Sequence, residues 1–566
     1  MGSRDQKIGY IPGGAEPSTR RLSLLWLFGP VVSWAVGLLV MAWPTFASGF
    51  QRVQGGLGDS RLVNFTLEHS YRWLMGMPLA EDLWSPPIFF PVQNVAAYTD
   101  LMLGVAPLYW IWRWFGCDPH TAYQLWMLIC WSLNFAACFL VLHRGLRLHP
   151  FGASAGAYLF AFASPRYMSM AHQQLVPQFW LVAALAGLIA IFKGGERLSR
   201  VGRWIASAAL WFGLVAQLYT AVYPLAFFAL GLAAAAAAGL TVRSMREPLL
   251  AAVKRHAIPL TVTAVIAVAM SVPLAANYSA AAADLGMHSE NQVHLPKPLS
   301  WVLPGNSSRV YGKMLKTLDL PGYRGFSQTN GVGFATLVAC AVGLWIGRRR
   351  RVVQLMVVGI GALVLVTLSF PGGWSPWWVV RELVPGAAAL RAVARVGLML
   401  LFPAAFGLAL VTDALVARRR WIAAAVVILV VIAEQPHRRP SFDKAAAMAR
   451  VDSIAAKVPA RSETFLLVFV GPSWDKYLHD DAAWAAIATG IPTVNGRYGH
   501  FPPGYPFKTP WIQRPSDMVG VRANLEVWSS ERGVAIERSA IVRAAPRPPK
   551  KRRRPASPGP QVEPQD

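Results

Sequence analysis

Residues 203–240 read RWIASAALWFGLVAQLYTAVYPLAFFALGLAAAAAAGL, with a single charged residue, Arg203, at the start. A helix needs roughly 20 apolar residues to cross a bilayer, so this stretch is long enough for two helices. Pro224 and the polar residues before it predict a hinge near Tyr219–Pro224. The stretch therefore predicts two membrane helices joined by a tight turn.

Apolar stretches of similar length recur along the chain. The 566 residues are 54% hydrophobic with a mean hydropathy of +0.38, which is too apolar for a soluble protein of this length. Together with a shorter helix at 151–165, they predict a mainly α, polytopic transmembrane helix bundle with about eleven crossings plus interfacial helices. The other spanning stretches are 22–44, 123–142, 176–193, 257–276, 331–347, 352–370, 393–412 and 420–434.

Basic residues in short loops predict the orientation of the chain. The net charge of +26 comes from 54 Lys and Arg against 28 Asp and Glu. Because the basic residues lie between apolar stretches, they indicate cytoplasmic loops rather than a nucleic-acid partner. With residues 1–21 in the cytoplasm, the first outer loop (45–122) and the large outer loop (277–330) lie outside. The basic loops contain Arg144 and Arg147, Lys193 to Arg203, Arg243 to Arg255, Arg348 to Arg351, and Arg418 to Arg420.

The sequence changes character after the transmembrane region, 22–435. Residues 436–545 alternate helical patterns, turns and a predicted strand at Thr464–Val470, which indicates a small α/β domain. The last span ends outside, so this C-terminal domain is expected to be extracytoplasmic. The tail, 546–566, is basic and rich in proline and is predicted to be disordered. The preference for Ala, and for Arg over Lys, suggests a high-GC bacterium, and the expected location is the inner membrane.

A glycine-rich turn in the first outer loop reads Gly55-Gly56-Leu57-Gly58-Asp59-Ser60-Arg61. A carboxylate beside a bilayer costs free energy unless it is paired or binds something. Asp59 is either a general base presented by a flexible turn or the N-cap of a helix that starts near Arg61. Later in this loop, 101–116 is predicted to be an interfacial helix, because a crossing there would move every later basic loop to the wrong face.

The predicted orientation gathers most polar residues of interest on the outer face. Carboxylates, a histidine and arginines at one mouth suit a charged, hydroxylated ligand, whereas the alternative is residues that snorkel to lipid headgroups. The candidates for binding substrate or phosphate are Arg391, Arg395, His172, Gln173, Glu68, His69 and Tyr219, with Asp100 nearby in the first outer loop.

Arg391 and Arg395 are four residues apart and are predicted to share one helix face. Two guanidinium groups on one face suit a phosphate. The alternative is that Arg391 snorkels while Arg395 pairs with a buried acid. His172 has a similar alternative, as a helix-end histidine bonded to backbone. The four cysteines lack metal-ligand spacing and indicate neither a zinc site nor a disulfide framework.

An apolar helix, the Gly58-Asp59 turn and interfacial helices occur together with the short motifs Pro86-Pro87-Ile88-Phe89-Phe90-Pro91 and Tyr98-Thr99-Asp100. This layout, over about residues 20–435, resembles the GT-C superfamily of integral-membrane glycosyltransferases. The resemblance implies a lipid-linked sugar, carried on polyprenyl phosphate, as donor. It makes Asp59 the catalytic base and Asp100 a second acid or the ligand of a divalent metal ion.

The resulting hypothesis is a cell-envelope transferase that moves a sugar to a glycan, lipid or protein acceptor. By its length and polarity, loop 277–330 is expected to be an acceptor or lid loop. The rivals are a transporter or flippase of lipid-linked glycans, and a degenerate scaffold protein. A transporter needs polar residues along its helices, whereas helix centres such as Ala233–Gly239 and Ala423–Val431 are apolar, which favours the enzyme.

Overall fold

The computed structural model describes residues 22–194, 198–285, 294–323, 325–438, 440–472 and 474–544. The predicted cytoplasmic segment 1–21 and the predicted disordered tail lie outside them. The chain divides into two compact units, the first comprising Met1–Pro86 and Asn94–Ala447 and the second Pro87–Gln93 and Met448–Asp566. The division thus falls at Met448 rather than at residue 436.

The first unit is a helix bundle, and the predicted mainly helical membrane fold is confirmed. Among the described residues, six helices are long and apolar enough to cross a membrane, or seven if Arg351–Thr367 and Pro371–Leu383, which meet at 91°, form one span. Three shorter apolar helices accompany them, so the predicted number of crossings stays a prediction. The six are Pro119–Gly145, Gln173–Lys193, Arg200–Thr220, Val222–Thr241, Ala257–Leu285 and Val393–Ala417.

The helices of this unit begin and end as follows. They are α1 (Leu22–Met41), α2 (Trp43–Ala47), α3 (Asp59–Leu74), α4 (Pro107–Trp114), α5 (Pro119–Leu140), α6 (Pro150–Phe162), α7 (Ser164–Met168), α8 (Phe179–Gly194), α9 (Arg200–Thr220), α10 (Val222–Thr241), α11 (Arg243–Arg255), α12 (Ala257–Leu285), α13 (Gly312–Leu318), α14 (Phe334–Ile346), α15 (Arg351–Thr367), α16 (Trp377–Leu383), α17 (Leu401–Ala417) and α18 (Trp421–Glu434). The division between the units falls within α19 (Lys444–Ala455).

The hinge predicted near Tyr219–Pro224 is present, because α9 ends at Thr220 and α10 begins at Val222. The span predicted at 393–412 lies within Val393–Ala417, whose first part is a 3-10 helix, Val393–Leu400, that leads into α17. The N–H of Ala394 donates to the carbonyl of His294, 2.8 Å away, rather than to a helical partner. A contact with a distant loop therefore sets the local conformation here.

Glycines allow α17 to pack closely against α6 and α14. A Cβ atom on Gly152 of α6 would lie 2.7 Å from the carbonyl oxygen of Ala409, and one on Gly343 of α14 would overlap the carbonyl oxygen of Gly407. Helices in lipid associate through such small-residue contacts, because lipid offers no hydrophobic driving force between them. These glycines place α17 inside the bundle.

Loops predicted to lie outside meet one another in the first unit. Strand β1 (Arg52–Gln54), in the first outer loop, pairs antiparallel with β2 (Ser441–Asp443), which follows α18. The large outer loop joins them through a bridge between Ser308 and His437. Loops predicted to be cytoplasmic also meet, since the N–H of His149 donates to Asp413 Oδ1 over 2.8 Å. These contacts join segments that the threading places on the same face, and the threading, like the assignment of one face as outer, stays a prediction.

The second unit contains a small parallel sheet, in a region where the sequence predicts a small α/β domain with a strand at Thr464–Val470. Its strand order is β4 (Trp511–Ile512), β3 (Thr464–Val470), β5 (Ser539–Ala544), and β3 has the predicted bounds. The remaining helices are α20 (Leu478–Thr489) and α21 (Asp517–Glu531). Both neighbours run parallel to β3, which is buried along most of its length.

Candidate functional site

The glycine-rich turn leads directly into α3. The helix begins at Asp59 and its cap residue is Gly58, which makes no side-chain capping bond. The hypothesis that Asp59 caps a helix starting near Arg61 is therefore wrong, since Asp59 lies inside the first helical turn. A carboxylate there is favoured by the partial positive charge of the helix N-terminus.

Asp59 lies next to His172. Nε2 of His172 is 3.9 Å from Oδ2 of Asp59, and each side chain is 32% exposed. His172 connects two short 3-10 turns, Ser169–Ala171 and Gln173–Leu175, in the loop before α8. The pair is thus open to a ligand while remaining close enough for electrostatic interaction.

Gln173 positions the turn that carries His172. Its Nε2 donates to Ser60 Oγ over 2.6 Å, and the side chain is completely buried. Gly55 has a φ of +110°, and a Cβ there would overlap Ser60 Oγ and approach Gln173 Nε2 to 2.8 Å. Gln173, predicted to bind substrate, is buried against Ser60, and the glycine of the turn makes that packing possible.

Asp100 is held by protein donors. Its Oδ1 accepts from the N–H of Val222, 3.0 Å away, at the start of α10. Burial raises the pKa of Asp100, while the Val222 N–H, the Arg395 guanidinium and the Gln174 side chain counteract that rise. Among the described residues no group of three His, Cys, Asp or Glu side chains could hold a metal ion. The predicted metal role of Asp100 gains no support from its surroundings.

Arg395 and His172 line one small cavity. Its volume is about 30 Å³, room for about two water molecules. The guanidinium carbon of Arg395 lies 4.4 Å from the ring centroid of Tyr223, a cation–π contact that holds the side chain in place. Asn330 also lines the cavity, and its Nδ2 has no hydrogen-bond partner in the described part of the chain. A cation and an unused donor make this cavity suitable for an anion.

Arg391 does not share a helix face with Arg395. It precedes the 3-10 helix, its side chain is exposed, and its carbonyl accepts from the N–H of His294 over 2.9 Å. Because His294 ties this segment at two points, the i, i+4 geometry of an α-helix does not apply. The predicted arginine pair is therefore wrong in its geometry, and of the two only Arg395 lines the cavity.

Glu68 has partners within the protein. It accepts hydrogen bonds from Arg113 Nε at 2.7 Å, Arg113 Nη2 at 3.0 Å and the Tyr109 hydroxyl at 2.7 Å. Its side chain is only 2% exposed. This network joins α3 to α4, the interfacial helix predicted within 101–116. The geometry thus gives Glu68 a structural role in place of the predicted substrate contact.

His69 and Tyr219 also make structural contacts. Nε2 of His69 lies 3.2 Å from the carbonyl oxygens of both Asp82 and Leu83, and burial lowers the pKa of His69 to about 4. A neutral imidazole with its proton on Nε2 satisfies both carbonyls. The Tyr219 hydroxyl donates to the carbonyl of Met270, 2.7 Å away, which ties α9 to α12. Neither residue lines the cavity of Arg395 and His172.

Sequence reasoning missed Ser60 and Asn330. Ser60 directly follows Asp59 in the sequence, but its contact with Gln173 joins segments that only the fold brings together. Asn330 follows the short 3-10 helix Phe326–Gln328 in a polar loop, and nothing in its local sequence connects it with Arg395. Both residues enter the site only through contacts between segments that are far apart along the chain.

Comparisons with known proteins find matches among solved structures only. No protein family and no curated protein matches the sequence. Among solved structures, the oligosaccharyltransferase of Archaeoglobus fulgidus in its apo form matches with 12% identity and a TM-score of 0.45, over 91% of this chain and 70% of that chain. None of these results assigns an activity to the chain.

Proposed function

We propose that this protein is a membrane glycosyltransferase that transfers a sugar from a polyprenyl-phosphate donor to an extracytoplasmic acceptor. The observation that carries the proposal is a partly exposed carboxylate, Asp59, 3.9 Å from His172, which in turn lines an anion-suited cavity with Arg395. A base and a phosphate site next to each other are what such a transfer needs. A bacterial inner membrane is the proposed location.

In the proposed reaction Asp59 accepts the proton of an acceptor hydroxyl group. The hydroxyl oxygen then forms a bond to the anomeric carbon, and the bond from that carbon to the phosphate oxygen breaks with inversion. Negative charge develops on the departing lipid phosphate, where fixed donors stabilise it best. Arg395 and the Nδ2 of Asn330 supply those donors, and His172 positions the carboxylate.

The cavity volume sets a condition on this proposal. A phosphate group is larger than a space of about 30 Å³, so side chains at its rim move when the donor binds. His172 is one third exposed and lies at the connection of two short turns, and such a position permits local movement. The donor is therefore expected to change the conformation of this loop.

The decisive experiment replaces Asp59 with Asn in the full chain. Membranes are supplied with labelled polyprenyl-phosphate sugars, and transfer of the label is measured. Loss of a general base is expected to lower the rate about 10² to 10⁴-fold. Glu81→Gln is the matched control, because Glu81 is an exposed carboxylate in the same loop. Unchanged transfer by Asp59→Asn would eliminate Asp59 as the base, and movement of lipid-linked glycan without transfer would favour the flippase.

A further inference from the structure

A second cavity lies in the large outer loop, within the first unit. Its volume is about 250 Å³, below the roughly 300 Å³ at which pockets for drug-sized ligands begin. Leu303, Leu315 and Leu320 provide apolar walls, while polar groups come from other lining residues. These are Asn306, Lys316, Asp319, Tyr323 and Thr329. The size suits one small ring rather than an extended chain.

The polar lining combines opposite charges. Lys316 lies on α13, and Asp319 follows that helix as its C-cap in a left-handed conformation, with φ 37° and ψ 65°. Because a cation and a carboxylate offset each other, the cavity has little preference for a purely anionic or cationic ligand. A ligand with neighbouring hydroxyl groups suits this lining, since a hydroxyl can donate to a carboxylate and accept from an ammonium group.

An aromatic ring completes the lining. Tyr323 contributes a flat apolar face with a polar edge, and the Lys297 ammonium lies 5.6 Å from its ring centroid, a contact that holds the ring. Gly322, with φ +77°, allows this approach, because a Cβ there would lie 2.6 Å from Lys297 Nζ. A ring with apolar C–H faces and hydroxyl edges fits these surroundings.

Residues that neighbour the cavity lining along the chain are held by contacts with the end of α18 and the residues after it. Ser307 Oγ and His437 Nδ1 are 2.9 Å apart, and the N–H of Arg309 donates to the Pro436 carbonyl over 3.0 Å. The Tyr311 hydroxyl, at the start of α13, bonds to the buried Glu434. Contacts of this kind restrict the backbone next to the cavity, which reduces the entropy lost on binding.

We infer that this cavity binds a single sugar ring. That the ring belongs to the acceptor rests on the proposed function, whereas the binding itself does not. Residues of loop 277–330 would then bind a sugar ring, a more specific role than the acceptor or lid loop that its length and polarity predict. The two cavities share no lining residue, although Thr329 of this one is followed directly by Asn330 of the cavity of Arg395 and His172.

The test is direct binding to the full chain in detergent, without turnover. A panel of methyl glycosides of common hexoses and pentoses is titrated and followed by saturation-transfer NMR. Lys316→Ala and Asp319→Ala are each expected to weaken binding about tenfold, the loss of one hydrogen bond to a charged group. Both residues are exposed, so folding should survive. Lys313→Ala is the matched control, because Lys313 is an exposed lysine on the same helix that does not line the cavity.

Two outcomes overturn the inference. One is that no glycoside of the panel binds, and the other is that Lys316→Ala and Asp319→Ala bind as wild type does. Asp59→Asn should keep full binding, because Asp59 lies outside this cavity. If the glycosides bind here but the wild-type protein transfers no sugar, the proposed function fails and the binding site stands.

Discussion

His172 Nε2 lies 3.9 Å from Asp59 Oδ2, although the two residues come from different segments, the turn before α8 and the first turn of α3. This distance exceeds that of a direct hydrogen bond, so we expect the histidine to act on the carboxylate by limiting its orientation. The contact links the glycine-rich turn to the loop that carries Gln173 and Gln174.

The first prediction concerns that pair. His172→Gln should lower sugar transfer about tenfold by removing the group that orients the base. The double variant with Asp59→Asn should be no slower than Asp59→Asn alone, because both changes act on one proton transfer. Initial rates of the four proteins give the coupling. If the two changes lower the rate independently, so that their effects multiply in the double variant, His172 does not act through Asp59.

The second prediction concerns the glycines of the turn. Gly55→Ala places a Cβ against Ser60 and Gln173 at a φ of +110°, and we expect it to lower the free energy of unfolding by about 2 kcal/mol. Gly56→Ala is the control, since a Cβ there meets nothing within 4 Å. Thermal unfolding in detergent measures both. Equal stability of the two variants would contradict the close packing at Gly55.

The third prediction concerns the Glu68 network. Glu68→Gln leaves the partly buried Arg113 without its charged partner, and we expect a loss of about 3 kcal/mol in the free energy of unfolding. Glu247→Gln breaks the pair with Arg243, whose side chains are 85% and 65% exposed, and should change little. If Glu68→Gln instead leaves stability unchanged and raises KM, Glu68 contacts the substrate as the sequence predicts.

The fourth prediction is a dependence of stability on pH through His69. Its pKa falls from 6.5 to about 4 on folding, so the folded state prefers the neutral ring. The resulting stability, about 3 kcal/mol, is present above pH 6.5 and is lost as the pH falls toward 4. His69→Gln keeps a donor for both carbonyls, and it should remove most of the change in stability between pH 6.5 and pH 4. His500→Gln, which changes an exposed histidine, should leave the wild-type dependence unchanged.

Patterns confined to a few neighbouring residues predicted structure well. The break between α9 and α10 follows from Pro224 and its polar neighbours, and β3 follows from an unbroken apolar run. The approach of Asp59 to the turn of His172 agrees with a threading that places both segments on one face, and the threading itself stays a prediction. These features depend on local chemistry or on counting crossings.

Features that depend on one distant contact were not predictable. The spacing of Arg391 and Arg395 suits a helix, but hydrogen bonds with His294 prevent it. From the sequence, Glu68 is a candidate for binding a ligand, but in the structure it is hydrogen-bonded to Arg113 and Tyr109 of α4. In both cases the sequence shows the chemical group, whereas the fold decides which partner it meets.

The pairing of β1 with β2 bears on how the protein is made. The N–H of Gly55 donates to the carbonyl of Pro440 over 3.0 Å, beside the pairing of Arg52 with Asp443. Residues near 440 leave the ribosome only after all the helices of the bundle have been synthesised. The turn before Asp59 therefore cannot complete its hydrogen bonds during early insertion, and the site matures only when biosynthesis of the bundle ends.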